Sequence, residues 1–226
     1  MGLNESKGNM YEFVTHTWNT VKGQCPHDCS YCYMKRWGKQ SDLHFERREL
    51  RTDLGSGNFI FVGSSCDIFA EEVNENWVAE TLEKCRQHDN AYLFQSKDPE
   101  GMHYHSNFFP NNSRLCTTIE TNRWYPEIMA KSPRSEQRAK WMNELKGFER
   151  YVTIEPILDF DLFPMLELLE LCEPVQVNIG ADSGQNGLPE PHFEKVLELV
   201  ERLKGFTTIA KKKNLDRLGN LTTAST

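Results

Sequence analysis

Three cysteines stand close together near the start of the chain, in the stretch Cys25-Pro26-His27-Asp28-Cys29-Ser30-Tyr31-Cys32-Tyr33. Thiolates at C-x3-C-x2-C spacing on one short loop converge on a metal centre. With 7 cysteines in 226 residues, this pattern should arise by chance in only about 0.007 chains of the same composition. Two centres are compatible with it. Structural zinc is normally closed by four ligands in two separated pairs, so His27 or a distant residue would have to complete the set. Tight single-loop runs of cysteine are more typical of iron–sulfur ligation. Three thiolates on a four-iron cluster leave one iron without a protein ligand, a position open to chemistry.

Other chemically able residues follow short apolar runs, and in parallel α/β proteins function collects in the loops after the strands. Gly63-Ser64-Ser65-Cys66-Asp67 follows one such run, and Ser96-Lys97-Asp98-Pro99 the next. Thr118, Glu120 and Asn122 end a third. Serine hydroxyls suit an ammonium group, a lysine suits a carboxylate, and a carboxylate with an amide suits paired hydroxyls. Glu155 stops an apolar strand, where an unpaired carboxylate is costly, so it is expected to face a cavity with a partner or to act as a cap. Asp182 is expected either to shape a substrate loop or to make a tight turn. Cys66 reads as a packing residue or a hydrogen donor, while Cys85, Cys116 and Cys172 read as core. His103 and His105 fall in an aromatic-rich segment that reads as a lid or a surface loop, without metal-site spacing.

Cys25, Cys29 and Cys32, with the aromatic Tyr31 just before the third cysteine, resemble the signature loop of the radical S-adenosylmethionine (radical SAM) superfamily. That resemblance implies a [4Fe–4S] cluster on the three cysteines and SAM as cofactor, cleaved to methionine and a hydrogen-abstracting 5′-deoxyadenosyl radical. It implies Tyr31 near the adenine, Gly63, Ser64 and Ser65 at the SAM amino group, and Lys97 at its carboxylate. Glu120, then Asn122 and Thr118, fall to the ribose, and Glu155 to SAM or substrate. The family's Gly-Gly-Glu segment is replaced here by Gly-Ser-Ser. Cys66, Asp67 and Asp182 are the catalytic candidates, Cys66 as a hydrogen-atom donor like the cysteine of spore photoproduct lyase.

Phrases such as Thr17-Trp18-Asn19, Asp67-Ile68-Phe69, Lys97-Asp98-Pro99 and Ile154-Glu155-Pro156-Ile157 also resemble a phage-associated branch related in layout to that lyase. The branch implies a pyrimidine nucleotide substrate, in phage DNA or free. An external one-electron donor of flavodoxin or ferredoxin type is implied as well. The rivals are another small-molecule or peptide substrate and, from a different class, a zinc-stabilised binding module without catalysis.

The elements that must position these residues are read from periodicity. Strands are predicted at Tyr11–Thr17, Phe59–Val62, Ala91–Gln95, Leu115–Ile119, Tyr151–Ile154 and Val175–Ile179, with a possible last one at Phe206–Ile209. Helices are predicted at 75–88 behind an Asn74 cap, from Ser132-Pro133 to Gly147, at 161–172, and from Phe193 to Leu203 on the stripe Phe193, Val196, Leu197, Val200, Leu203. Alternating strands and helices imply a parallel sheet. The expected fold is a single α/β domain, a partial (β/α)6-type parallel barrel over residues 10–210, between a loose tail at 1–9 and a polar, basic tail at 211–226.

The net charge of −7 argues against a large basic surface for duplex nucleic acid. No apolar run approaches the roughly 20 residues of a membrane span. A reducing, cytoplasmic setting is expected, the host cytoplasm if the chain is phage-encoded.

Overall fold

A computed structural model of the protein describes residues 3–6 and 11–222. The chain begins with β1 (Asn4–Glu5), β2 (His16–Trp18) and β3 (Val21–Lys22), followed by β4 (His44–Phe45) and β5 (Phe59–Val62). Helix α1 (Glu75–Arg86), β6 (Ala91–Ser96), α2 (Pro99–Tyr104), β7 (Ser113–Thr118), α3 (Pro126–Met129), α4 (Ser135–Glu144) and β8 (Glu149–Ile154) come next. The chain continues through α5 (Leu162–Leu171), β9 (Gln176–Ile179), α6 (Phe193–Leu203), β10 (Thr208–Lys211) and α7 (Asp216–Thr222).

Eight strands form one sheet in the order β1-β2-β5-β6-β7-β8-β9-β10. All neighbours from β2 to β10 pair in parallel, while β1 adds antiparallel to β2. Each parallel pair requires a crossover: from β5 onward α-helices supply it, while the one from β2 to β5 carries the cysteine loop, the β3–β4 hairpin and 3-10 turns. Among the described residues β10 pairs only with β9, so the sheet stays open rather than closing into a barrel. Six strand-plus-crossover units and a closing strand match the expected α/β architecture.

The two faces of the sheet are buried by different means. Phe94, Leu115 and Val152 join helix residues such as Leu82, Met142 and Leu169 in the main core. On the opposite face, Leu93, Cys116 and Tyr151 are covered by Tyr11 and Val14, with Phe13, Phe59 and Phe61 packed against them. This explains why the first strand is shorter than predicted. Residues 11–15 turn, with Val14 N donating to Tyr11 O at 3.1 Å, and serve as a cover for the sheet; only His16–Trp18 extend it.

Other local expectations meet the structure closely. The Asn74 side chain caps α1 by accepting from Asn76 N. In α6 the buried stripe is Val196, Leu199, Val200 and Leu203. Leu197, placed on that stripe by spacing, is instead 46% exposed.

Both predicted tails need correction. Asn4–Glu5 of the expected N-terminal tail pair with Thr17 and His16; the rest of 1–9 lies outside the described residues, apart from Leu3 and Ser6. The expected basic C-terminal tail begins inside β10, passes through a 3-10 turn at Lys213–Leu215 and continues into α7, with Leu215 and Leu218 buried against the core, while 223–226 lie outside the described residues. Short apolar spacing within a lysine- and threonine-rich stretch concealed this.

Candidate functional site

The loops after the parallel strands surround one cavity of about 620 Å³, within the usual range for small-molecule sites. Cys25, Cys29, Tyr31 and Cys32 line it from the loop after β2. Gly63, Ser64, Ser65, Cys66 and Asp67 line it after β5, Lys97 after β6, Thr118 at the end of β7, Glu155 after β8 and Asp182 after β9. Of the residues predicted from sequence, the structure brings together all but Glu120 and Asn122.

The cysteine loop is held from two sides. Gly23 enters it at φ +99°, and a Cβ there would lie 2.3 Å from Asp42 O, so only glycine fits. Ser30 N donates to Ile128 O at 2.9 Å and Lys131 N donates to His27 O at 3.1 Å, docking the loop on α3. Helix α3 has only four residues, too short to leave a periodic signal.

Below the loop, His27 Nε2 meets Asp67 Oδ2 at 2.8 Å. Asp67 also accepts from Ser96 Oγ, Lys97 N and Phe69 N. Burial opposes the charge on Asp67, but His27 and these donors hold its carboxyl below the usual range. Burial likewise works to lower His27, and the facing Asp67 raises it overall. Asp67, a catalytic candidate from sequence, therefore ties the loops after β2, β5 and β6 together.

The three cysteines are free thiols. Cys66 Sγ reaches Asp67 O at 3.9 Å, and the neighbouring Cys66 and Cys25 thiols shift one another, Cys25 down to about 6 and Cys66 up. Thiolate is the metal-binding form. Cys29 is the most deeply placed, and burial raises it against the pull of Lys97. Among the described residues no three Cys, His, Asp or Glu side chains converge on a single-ion site. His27 is engaged with Asp67 through Nε2. Cys25, Cys29 and Cys32 share one cavity wall, and thiolates are ligands both for a single ion and for an iron–sulfur cluster.

Around the cysteines, Ser64 Oγ exchanges hydrogen bonds with Asn19, and Tyr33 OH donates to Ser64 O at 2.8 Å. Ser65 N donates to Asn19 Oδ1 at 2.9 Å. Gly63 turns the chain at φ +76°. Lys97 stands 5.1 Å above the Tyr31 ring. Burial works to lower Lys97, and the facing Cys29 and Glu120 raise it overall.

Glu120 departs from the sequence expectation. It is 0% exposed and does not line the cavity. Arg138 NH1 donates to its Oε2 at 2.6 Å, Tyr31 OH donates to Oε1, and Lys97 Nζ lies 3.7 Å from Oε1. Burial penalises its charge, and Arg138 and Lys97 nonetheless hold it below the usual value. Glu120 positions Tyr31 and Lys97 from behind rather than reaching a ribose.

Asn122 also points elsewhere. Its side chain bonds Asp161 at the start of α5, donating to Oδ2 at 3.2 Å and accepting from Asp161 N at 2.7 Å. Thr118, whose hydroxyl accepts from Gln95 Nε2 at 3.1 Å, is the member of that trio left on the cavity wall.

At the far side, Glu155 Oε1 accepts from Lys212 Nζ at 2.7 Å and Asn214 Nδ2 at 3.3 Å. Burial raises the Glu155 carboxyl and these two donors oppose the rise. Sequence reasoning missed Lys212, because a run of three lysines reads as solvated tail. Asp182 closes a turn, its carboxylate accepting from Gly184 N and from the backbone and side chain of Asn186. His103 and His105 belong to α2 and the turn after it, and neither lines the cavity.

The fold and site define a mostly parallel α/β protein with a cysteine-bearing cavity at the carboxyl ends of its strands. The chain belongs to the family described as "Protein of unknown function (DUF5131)", whose sequence model matches residues 9–192. No curated protein matches the sequence. Among solved structures the chain is similar to a spore photoproduct lyase mutant with dinucleoside spore photoproduct, with TM-score 0.66 and 11% identity over 93% of this chain and 81% of that one. A second spore photoproduct lyase mutant, with bound AdoMet and dinucleoside spore photoproduct, aligns at TM-score 0.54 and 13% identity over 100% of this chain and 66% of that one. These likenesses establish the fold. The phage-associated branch suggested by short phrases is carried by none of them.

Proposed function

We propose that this protein is a radical SAM enzyme acting on a pyrimidine nucleotide. The observation that carries the reading is the placement of Cys25, Cys29 and Cys32, free and unlinked, on one wall of the cavity that the other strand ends share. The likeness to an AdoMet-binding lyase supports it. Cys25, Cys29 and Cys32 would hold a [4Fe–4S] cluster. Such a cluster, reduced by an external flavodoxin- or ferredoxin-type donor, supplies the electron that splits SAM into methionine and a hydrogen-abstracting 5′-deoxyadenosyl radical.

The chain's own residues bind and orient. Lys97 presents an ammonium to a carboxylate from a position fixed by Glu120 and the Tyr31 ring. Gly63, Ser64 and Ser65 offer backbone and hydroxyl groups beside the cysteine loop. Thr118, rather than Glu120 or Asn122, is the hydroxyl available to a ribose. Cys66, which lines the cavity beside the cysteine loop, would act as a hydrogen-atom donor. Asp67 and Asp182 have their oxygens committed to neighbouring donors and act as positioning residues. A target base within duplex DNA, phage or other, would have to be flipped from the stack to reach the cavity.

Anaerobic purification with iron and sulfide assay, followed by dithionite and SAM, tests the reading: 5′-deoxyadenosine is expected. Cys29→Ala should lose iron and cleavage together. A colourless oxygen-free protein holding one zinc ion, or cleavage retained without Cys29, would overturn it.

A further inference from the structure

Four buried side-chain polar atoms among the described residues have no hydrogen-bond partner: His103 Nδ1, Arg150 Nε, Asn178 Nδ2 and Glu155 Oε2. Of these four residues only Glu155 lines the cavity. Its side chain is 8% exposed, so it is withdrawn from solvent while still bordering the space a ligand would fill. A buried carboxylate oxygen left unpaired is costly, and a ligand donor would relieve that cost.

The rest of the carboxylate is fixed. Oε1 is occupied by Lys212 and Asn214. Gly180 leaves the room in which the side chain lies, since a Cβ there would come within 2.9 Å of Glu155 Cδ. Lys212 also lines the cavity and spends one of its three N–H groups on Glu155. The pair therefore presents an acceptor, Oε2, next to an ammonium with donors to spare. It lies after β8 and β10, with Glu155 four strands along the sheet from the β2 strand that carries the cysteine loop.

We infer that Glu155 and Lys212 form a recognition subsite for an imide edge, an N–H beside a carbonyl, such as the N3–H and O4 of uracil or thymine. Glu155 Oε2 accepts from the N–H and Lys212 donates to the carbonyl. Cytosine presents the opposite pattern, an acceptor at N3 and a donor at N4, and is rejected at both atoms. This rests on the nucleotide reading above and adds the residues that set base preference.

The test measures nucleoside binding to the protein without cluster or SAM, by calorimetry with uridine, 3-methyluridine and cytidine. Uridine should bind at least about tenfold more tightly than either of the others, as expected for a two-point contact. Glu155→Gln, whose amide N–H donates where the carboxylate accepted, should weaken uridine and bring cytidine level with it or ahead. Lys212→Met should weaken uridine by removing the donor to its O4. Equal binding of the three nucleosides by the wild-type protein, no binding of any, or an unchanged preference in Glu155→Gln would overturn the subsite. The wild-type comparison requires no variant to fold. Because no cluster or SAM is present, these results are separate from those of the SAM-cleavage assay.

Discussion

Two glutamates end adjacent strands of the same sheet and meet opposite fates. Glu120, after β7, is sealed behind the cavity wall with Arg138, Tyr31 and Lys97 around it. Glu155, after β8, is held by Lys212 and Asn214 through one oxygen and keeps the other buried and unpartnered beside the cavity. The first organises the wall that other residues use; the second is left with binding capacity. A strand-end carboxylate is thus defined by what the neighbouring helices and the chain's last turn bring to it.

The sharpest way to break this contrast is to remove Glu120. Glu120→Ala leaves the Arg138 guanidinium buried without its counter-ion, and a loss of about 3–5 kcal/mol in urea unfolding is expected. Gly180→Ala should come next, at about 1–3 kcal/mol, because the added methyl collides with the Glu155 side chain rather than with a yielding surface. Glu155→Gln should change stability by less than about 1 kcal/mol, since the Lys212 contact it weakens is partly exposed and its other oxygen has no protein partner. A Glu155→Gln loss as large as that of Glu120→Ala would show that the two positions do the same work.

The pH dependence separates the two glutamates by sign. The Glu120 carboxyl is held below its ordinary value of 4.5. Its contribution is present above 4.5 and fades as pH falls through the lower folded value. The Glu155 carboxyl is raised above 4.5. Its contribution is present below 4.5 and fades as pH rises through the higher folded value. Unfolding midpoints taken across the acidic range should therefore slope less on the acid side in Glu120→Ala than in the wild type. In Glu155→Gln the small decline just above pH 4.5 should be the part that disappears.

The layout was readable from sequence because parallel strands buried on both faces are continuous apolar runs, and Phe59–Val62 begins and ends where it was predicted. The cavity was readable for a related reason: loops after strands carry polar residues that the sheet's direction brings together. Partners were not readable. Arg138 is an ordinary charged residue on a predicted helix, and nothing in its spacing marks it as fully buried against Glu120. Lys212 sits in a lysine run that reads as solvent-facing, yet the parallel register of β10 on β9 delivers it to the cavity. The cover formed by Tyr11, Phe13 and Val14 reads as strand in the sequence because aromatic and β-branched residues satisfy both roles.

An open sheet leaves two rims on which a second molecule's backbone can zip. Among the described residues one rim ends in the two-residue β1, too brief to template another strand, and the other is the four-residue β10, which carries Lys211 at its end. Positive charge along such a border makes stacking copies of this chain side by side unfavourable. Lys211 thereby guards that edge against clumping, while its neighbour Lys212 turns inward to Glu155.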